Sequence, residues 1–119
     1  FYSQIKRSPH HMSTVEVACA LEGLTDAYLM LLSVLKDPKD INKEKLELKE
    51  KDYKEAIIEA VKFLLKVQDS QIDPKAIGGF GHSLDLKTQR LDVTGHVLCG
   101  FIKLIQICEL DNDLAEYEI

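Results

Sequence analysis

Gly78-Gly79-Phe80-Gly81-His82 runs on through Arg90-Leu91-Asp92 into Val93-Thr94-Gly95-His96, and how this stretch is read decides the fold. Three glycines in four residues tolerate positive backbone angles and close approach, which predicts a tight turn carrying Phe80 inward. A carboxylate at Asp92 suits the free N–H groups and positive pole of a helix start, so Asp92 is expected to cap a helix. The stretch is then a connection between two helices, gathering glycine, histidine, arginine and acid between two apolar helical patterns. It is not a phosphate-binding loop, because Gly-Gly-x-Gly lacks the Lys-Ser/Thr partner and follows no strand.

Working outward, three main helices are expected, at 13–36, 51–68 and 92–109. The first opens on Ser13-x-x-Glu16, a capping box in which hydroxyl and carboxylate satisfy the first free N–H groups. Val15, Val17, Ala18, Leu21, Leu24, Ala27, Tyr28, Leu31 and Leu32 then make it apolar on nearly every side, the mark of a buried helix. Asp37-Pro38 stops it, since proline disfavours helical geometry in the residue before. The second helix places Tyr53, Ala56, Ile57, Ala60, Val61, Leu64 and Leu65 at spacings of three and four, with Lys54, Glu55, Glu59, Lys62 and Lys66 opposite. The third carries Val93, Val97, Leu98, Phe101, Leu104, Ile105 and Cys108 as its expected core. Residues 1–11 read as an extended arm, 37–50 as a charged loop, 69–91 as the glycine-containing connection, and 111–119 as an acidic tail.

Helices one and three are therefore expected to be inner and helix two outer, the order of antiparallel α-helical hairpins in an all-α fold. An internal echo agrees with this: Thr14-x-x-Val17-x-Cys19-x-x-x-x-Leu24 returns as Thr94-x-x-Val97-x-Cys99-x-x-x-x-Leu104. The echo predicts two parallel inner helices with Glu16 and His96 in equivalent places.

With 119 residues the chain has room for one domain, and a first residue Phe1 suggests a piece of a longer protein. A net charge of -5 argues against a nucleic-acid backbone as partner, because phosphate binding needs a basic patch. No apolar run reaches about 18 residues without a charge, so no membrane span is expected. Cys19, Cys99 and Cys108 are odd in number, lack C-x-x-C spacing and lie in apolar patterns, which predicts reduced, buried thiols in a cytoplasmic protein.

Ala60-Val61-Lys62-Phe63-Leu64-Leu65-Lys66-Val67-Gln68, then Gly78-Gly79-Phe80-Gly81, then Asp92-Val93-Thr94-Gly95-His96 resemble one repeat of the α/α-toroid proteins. These include the six-hairpin glycosidases, polysaccharide lyases and sugar epimerases, as well as the terpenoid cyclases and protein prenyltransferases. The resemblance spans roughly Lys54 to Leu104, is weaker over Ser13 to Tyr28, and fixes a fold rather than a reaction. The chain departs from the cyclases in lacking an Asp-rich cluster and from the prenyltransferases in lacking their zinc-binding set. Three helices make about one and a half hairpins, so a closed ring requires either more chain or other copies.

A sugar or other small-molecule substrate fits this resemblance better than an isoprenoid, since carbocation chemistry wants many aromatic walls and the chain has no Trp. The expected catalytic residues are His96, Asp92 and Glu16, and the expected substrate-binding residues are Arg90, Phe80, His82 and His11. A neutral His96 can act as a general base, Glu16 with Asp92 or His96 can supply the acid and base of sugar chemistry, and Arg90 can clamp an anionic group. Each also has a structural reading: His96 as a hydrogen-bonded core histidine, Glu16 in its capping box, Asp92 as cap, and Arg90 paired with Asp92 or Glu16. His96-x-x-Cys99 is too little for a zinc site, so no metal and no cofactor are expected. The alternative from another class is a non-catalytic module whose exposed apolar helices bind a partner or a second copy.

Overall fold

Ser13 and Glu16 close the expected capping box. The Glu16 backbone N–H donates to Ser13 Oγ at 3.3 Å, and the Ser13 N–H donates to Glu16 Oε2 at 3.1 Å. The helix they start, α2, runs Thr14–Lys36; it is preceded by a short α1 at Tyr2–Arg7 and followed by α3 at Lys43–Val67 and α4 at Leu91–Leu110. The structure is a computed structural model and describes residues 2–36, 43–68, 78–86 and 88–110, with the side chains of 109 and 110 outside the description. Among the described residues the protein is all-α, with three isolated bridges and no strand.

The core is built around α2, which packs along both α3 and α4. Val17, Ala18, Leu21 and Tyr28 of α2 are buried with Ile57, Ala60, Val61, Phe63, Leu64 and Val67 of α3 in one cluster. Tyr28, Leu21, Ile57 and Leu64 are its largest fully covered side chains. The two helices are antiparallel. At one end Gly81 ties them together, its N–H donating to the Val67 carbonyl that ends α3 and its carbonyl accepting the Thr14 hydroxyl that starts α2. At the other end Leu32 and Lys36 of α2 stand over Lys43 and Glu47 of α3.

α4 runs parallel to α2, in agreement with the internal echo. Cys19 faces His96 near the start of both helices, and Asp26 pairs with Lys103 further along. The closest approach is at Gly100, where an added Cβ would stand 3.0 Å from Leu21 Cδ2. The cross-helix register is therefore a separation of 77 residues rather than the 80 of the sequence echo. His96 is consequently level with Cys19 and Glu22, and Glu16 lies further towards the α2 N-terminus.

The second helix is longer than its sequence pattern predicts. Residues 43–50, expected to belong to a charged loop, are helical. Lys, Glu and Leu are strong helix formers, and Glu50 pairs with Lys54 one turn on at 3.4 Å. The run is polar because it is a wet helix face. The expected arm is also helical, since Tyr2–Arg7 form α1 and Pro9–His11 a 3-10 turn. Burial of Ile5 and Met12 explains why this end is held, α1 lying against α3. Residues 37–42, 69–77 and the tail 111–119 lie outside the described residues.

The third helix packs along one side only. Val93, Val97 and Ile107 are buried, whereas Leu98 and Ile105, expected in the core, are exposed together with Leu91 and Ile102. Cys19 and Cys99 are likewise exposed and Cys108 half-buried, correcting the expectation of buried thiols. By length and composition alone, α2 and residues 91–108 of α4 are apolar enough to cross a membrane, which charge-free runs in the sequence did not indicate.

Candidate functional site

The glycine-containing connection, described over residues 78–86 and 88–90, is a strap that lies against the C-terminus of α3 and the start of α2 and leads into α4. Gly78 has φ of +91°, a conformation that favours glycine, and its carbonyl accepts the Gln68 side-chain amide at 3.1 Å. Phe80 is buried and meets Phe101 of α4 edge to face, ring centroids 5.9 Å apart. That is a core contact of the inward-turned aromatic, and it closes the angle between strap and α4. His82 contributes through its backbone, its carbonyl accepting the Thr14 N–H at 2.7 Å while its side chain is exposed. Thr14, a buried residue that the sequence marks only through the internal echo, thus anchors the strap with both backbone and hydroxyl.

Asp92 does not cap α4. The helix begins at Leu91, the Arg90 carbonyl accepts the Thr94 N–H at 3.2 Å, and Arg90 takes the capping place. Asp92 lies in the first turn, where a carboxylate still suits the helix pole. Both its oxygens are engaged by the Arg90 guanidinium, Nε to Oδ1 at 3.0 Å and Nη2 to Oδ2 at 2.9 Å. This two-bond fork is exposed at both residues. Arg90 is thereby committed to Asp92 rather than to Glu16, which is held in its capping box.

His11 and Glu16 are brought to one surface hollow, lined also by Gln4, Ser8 and Met12. His10, beside them in sequence, pairs with Asp85 of the strap at 2.9 Å. His96 is half exposed on α4, its Nδ1 4.0 Å from Cys19 Sγ and 3.8 Å from Glu22 Oε1. The expected site therefore divides into three places: the Arg90–Asp92 fork, the His11–Glu16 hollow, and His96 with Cys19 and Glu22. Glu22 was missed in the sequence, because the register that brings it to His96 leaves no mark in local periodicity. No group of three or more His, Cys, Asp or Glu side chains among the described residues is arranged to hold a metal ion.

Beyond the strap, Lys103 of α4 donates to Asp26 Oδ2 at 2.6 Å, and this hydrogen bond raises the Lys103 ammonium above its ordinary 10.5. The pair pins α4 to α2 on the face that also carries His96.

Fold and site together define an all-α protein of packed helical hairpins with an exposed apolar helix. The chain matches no protein-family model, no curated protein and no solved structure.

Proposed function

We propose that the chain is a helical association module that pairs with a second copy of itself through α4. One observation carries the reading: Leu91, Leu98, Ile102 and Ile105 are 90%, 51%, 57% and 60% exposed and share one helix face. With Gly95 they recur at steps of four, three, four and three, the spacing of a helix–helix seam. Apolar patches of several hundred Å² are at the upper limit of what monomers leave in water, roughly 300–600 Å² for the largest. Burying a Leu or Ile stabilises by about 1.5–3 kcal/mol, so a seam of four is worth covering.

A second copy fits because the seam is self-complementary. An antiparallel crossing centred midway between Leu98 and Cys99 sets Ile102 of each copy over Gly95 of the other, where no side chain stands. Between Val93 and Cys108 the sequence holds only His96 and Lys103 as cationic side chains and no acid, so two such faces meet with little repulsion. Lys103 is already paired with Asp26. An isologous two-fold contact is also the commonest form of self-association. A cytoplasmic setting belongs to this proposal and rests on the odd number of cysteines and their lack of C-x-x-C spacing.

The test is the mass of the protein in solution by sedimentation equilibrium. A dimer at micromolar concentration that becomes monomeric in the double variant Ile102→Glu/Ile105→Glu supports the module. A wild-type monomer up to several hundred micromolar overturns it, as does a monomer that instead co-sediments with lipid vesicles.

A second reading, an α/α-toroid piece with carbohydrate-directed chemistry, draws its support from the parallel α2 and α4 and from the hollow shared by His11 and Glu16 at the start of α2. Saturation-transfer binding of oligosaccharides, lost in Glu16→Gln, would favour it over the association module.

A further inference from the structure

α2 places Cys19 and Glu22 one turn apart, and α4 brings His96 between them. The thiol sulfur and the carboxylate oxygen face the same ring nitrogen, at 4.0 and 3.8 Å. Glu22 Oε1 is itself buried and accepts no hydrogen bond, although its side chain as a whole is partly covered. An oxygen removed from water in this way is costly unless a donor reaches it. His96 Nδ1 becomes such a donor only once it has taken up a proton. A proton on Nδ1 then stands between a carboxylate and a sulfur, and the sulfur is exposed to solvent. Thiol, imidazole and acid in this order are the parts of an activated nucleophile, the thiolate being the reactive form.

We infer that Cys19 is a thiol-modification site, reactive towards small disulfides, with His96 holding the proton and Glu22 positioning the imidazole. In the neutral ring with its proton on Nε2, Nδ1 takes the Cys19 S–H proton, and the N–H formed there faces Glu22 Oε1. The thiolate attacks one sulfur of a low-molecular-weight disulfide, forming the mixed disulfide on Cys19 and breaking the original S–S bond. The electron pair leaves on the second sulfur as a thiolate, which takes the proton back from Nδ1 and departs as a thiol. One disulfide is exchanged for another, and no outside oxidant is consumed. Cys99, one turn beyond His96 on α4 and also exposed, provides an internal comparison within the same protein. The groups around it differ: Lys103 is its charged neighbour, whereas Cys19 is the thiol that faces the imidazole.

The experiment is reaction of the native chain with oxidised glutathione at neutral pH, the adduct on each cysteine being followed by peptide mass mapping. Cys19 is expected to react about fivefold faster than Cys99 and Cys108. His96→Asn should bring Cys19 down to the Cys99 rate with helix content by circular dichroism retained, and Glu22→Gln should give an intermediate rate. Equal rates at Cys19 and Cys99 in the native chain would overturn the inference. So would an undiminished Cys19 rate in a folded His96→Asn variant. If His96→Asn does not fold, Cys99→Ser in the native background decides by whether Cys19 keeps its advantage over Cys108.

Discussion

α3 and α4 flank the same central helix, yet they treat their outer surfaces in opposite ways. α3 buries seven residues against the rest of the chain and presents Lys and Glu outward, with Lys54–Glu50 and Lys62–Glu59 pairs along that face. Its exposed Leu48 and Leu65 stand far apart, as single surface leucines commonly do. α4 has an apolar face towards α2 and a second apolar face towards water. The difference teaches that packing among the described residues accounts for α3 in full and for only half of α4. The other half is the face that the proposed association would cover.

The sharpest way to break this comparison is to truncate one large side chain on each helix. Leu64 of α3 is fully buried, so Leu64→Ala should destabilise the fold by about 2–5 kcal/mol, read from urea unfolding. Ile105→Ala on α4 should change monomer stability by no more than about 0.5 kcal/mol while weakening association, because its side chain is in water until a partner arrives. Equal losses from the two substitutions, at a concentration where the chain is monomeric, would show that α4 is packed on both sides and would remove the ground for the seam.

The contrast also marks what the sequence could and could not disclose. Spacing of three and four identified α3 correctly over Tyr53–Leu64, because one face is apolar and the other charged. The same rule applied to α4 placed Leu98 and Ile105 in the core beside Val93 and Val97. A helix apolar all round does not say which side has a neighbour; that depends on where α2 lies. Residues 43–50 are helical although their polarity reads as a loop, because helix propensity and a wet face outweigh the lack of an apolar stripe there. The capping box of Ser13 and Glu16 was legible since it lies within four residues. The His96–Glu22 meeting was not, since it depends on the sliding of one helix against another by three positions.

A smaller effect is expected at the strap, where α2 and α4 are joined to the end of α3. The Thr14 hydroxyl donates to the Gly81 carbonyl in a buried setting. Thr14→Val keeps the shape but leaves that carbonyl with one partner fewer, a loss of about 1–2 kcal/mol. If the strap is what sets the position of α4, the same variant should also lower the dimer affinity of the chain, measured by sedimentation. A stability loss with unchanged affinity would mean that Gly100 and the Asp26–Lys103 pair hold α4 without help from the strap.

The smallest effect separates α4 from α3 by pH. Lys103 gains its hydrogen bond to Asp26 on folding, which raises its pKa in the native state above the ordinary 10.5. The folded chain then binds the proton more tightly than the unfolded chain, so the contribution to stability is complete below about pH 10.5 and is lost as pH climbs through the raised native value. Because the pair is solvent-accessible, salt weakens it and the loss is slight. Thermal unfolding of wild type and Lys103→Met should therefore differ a little at neutral pH, and the difference should shrink above pH 10.5. A difference that persists there would assign the role of Lys103 to packing of its aliphatic stem along α2 rather than to its charge.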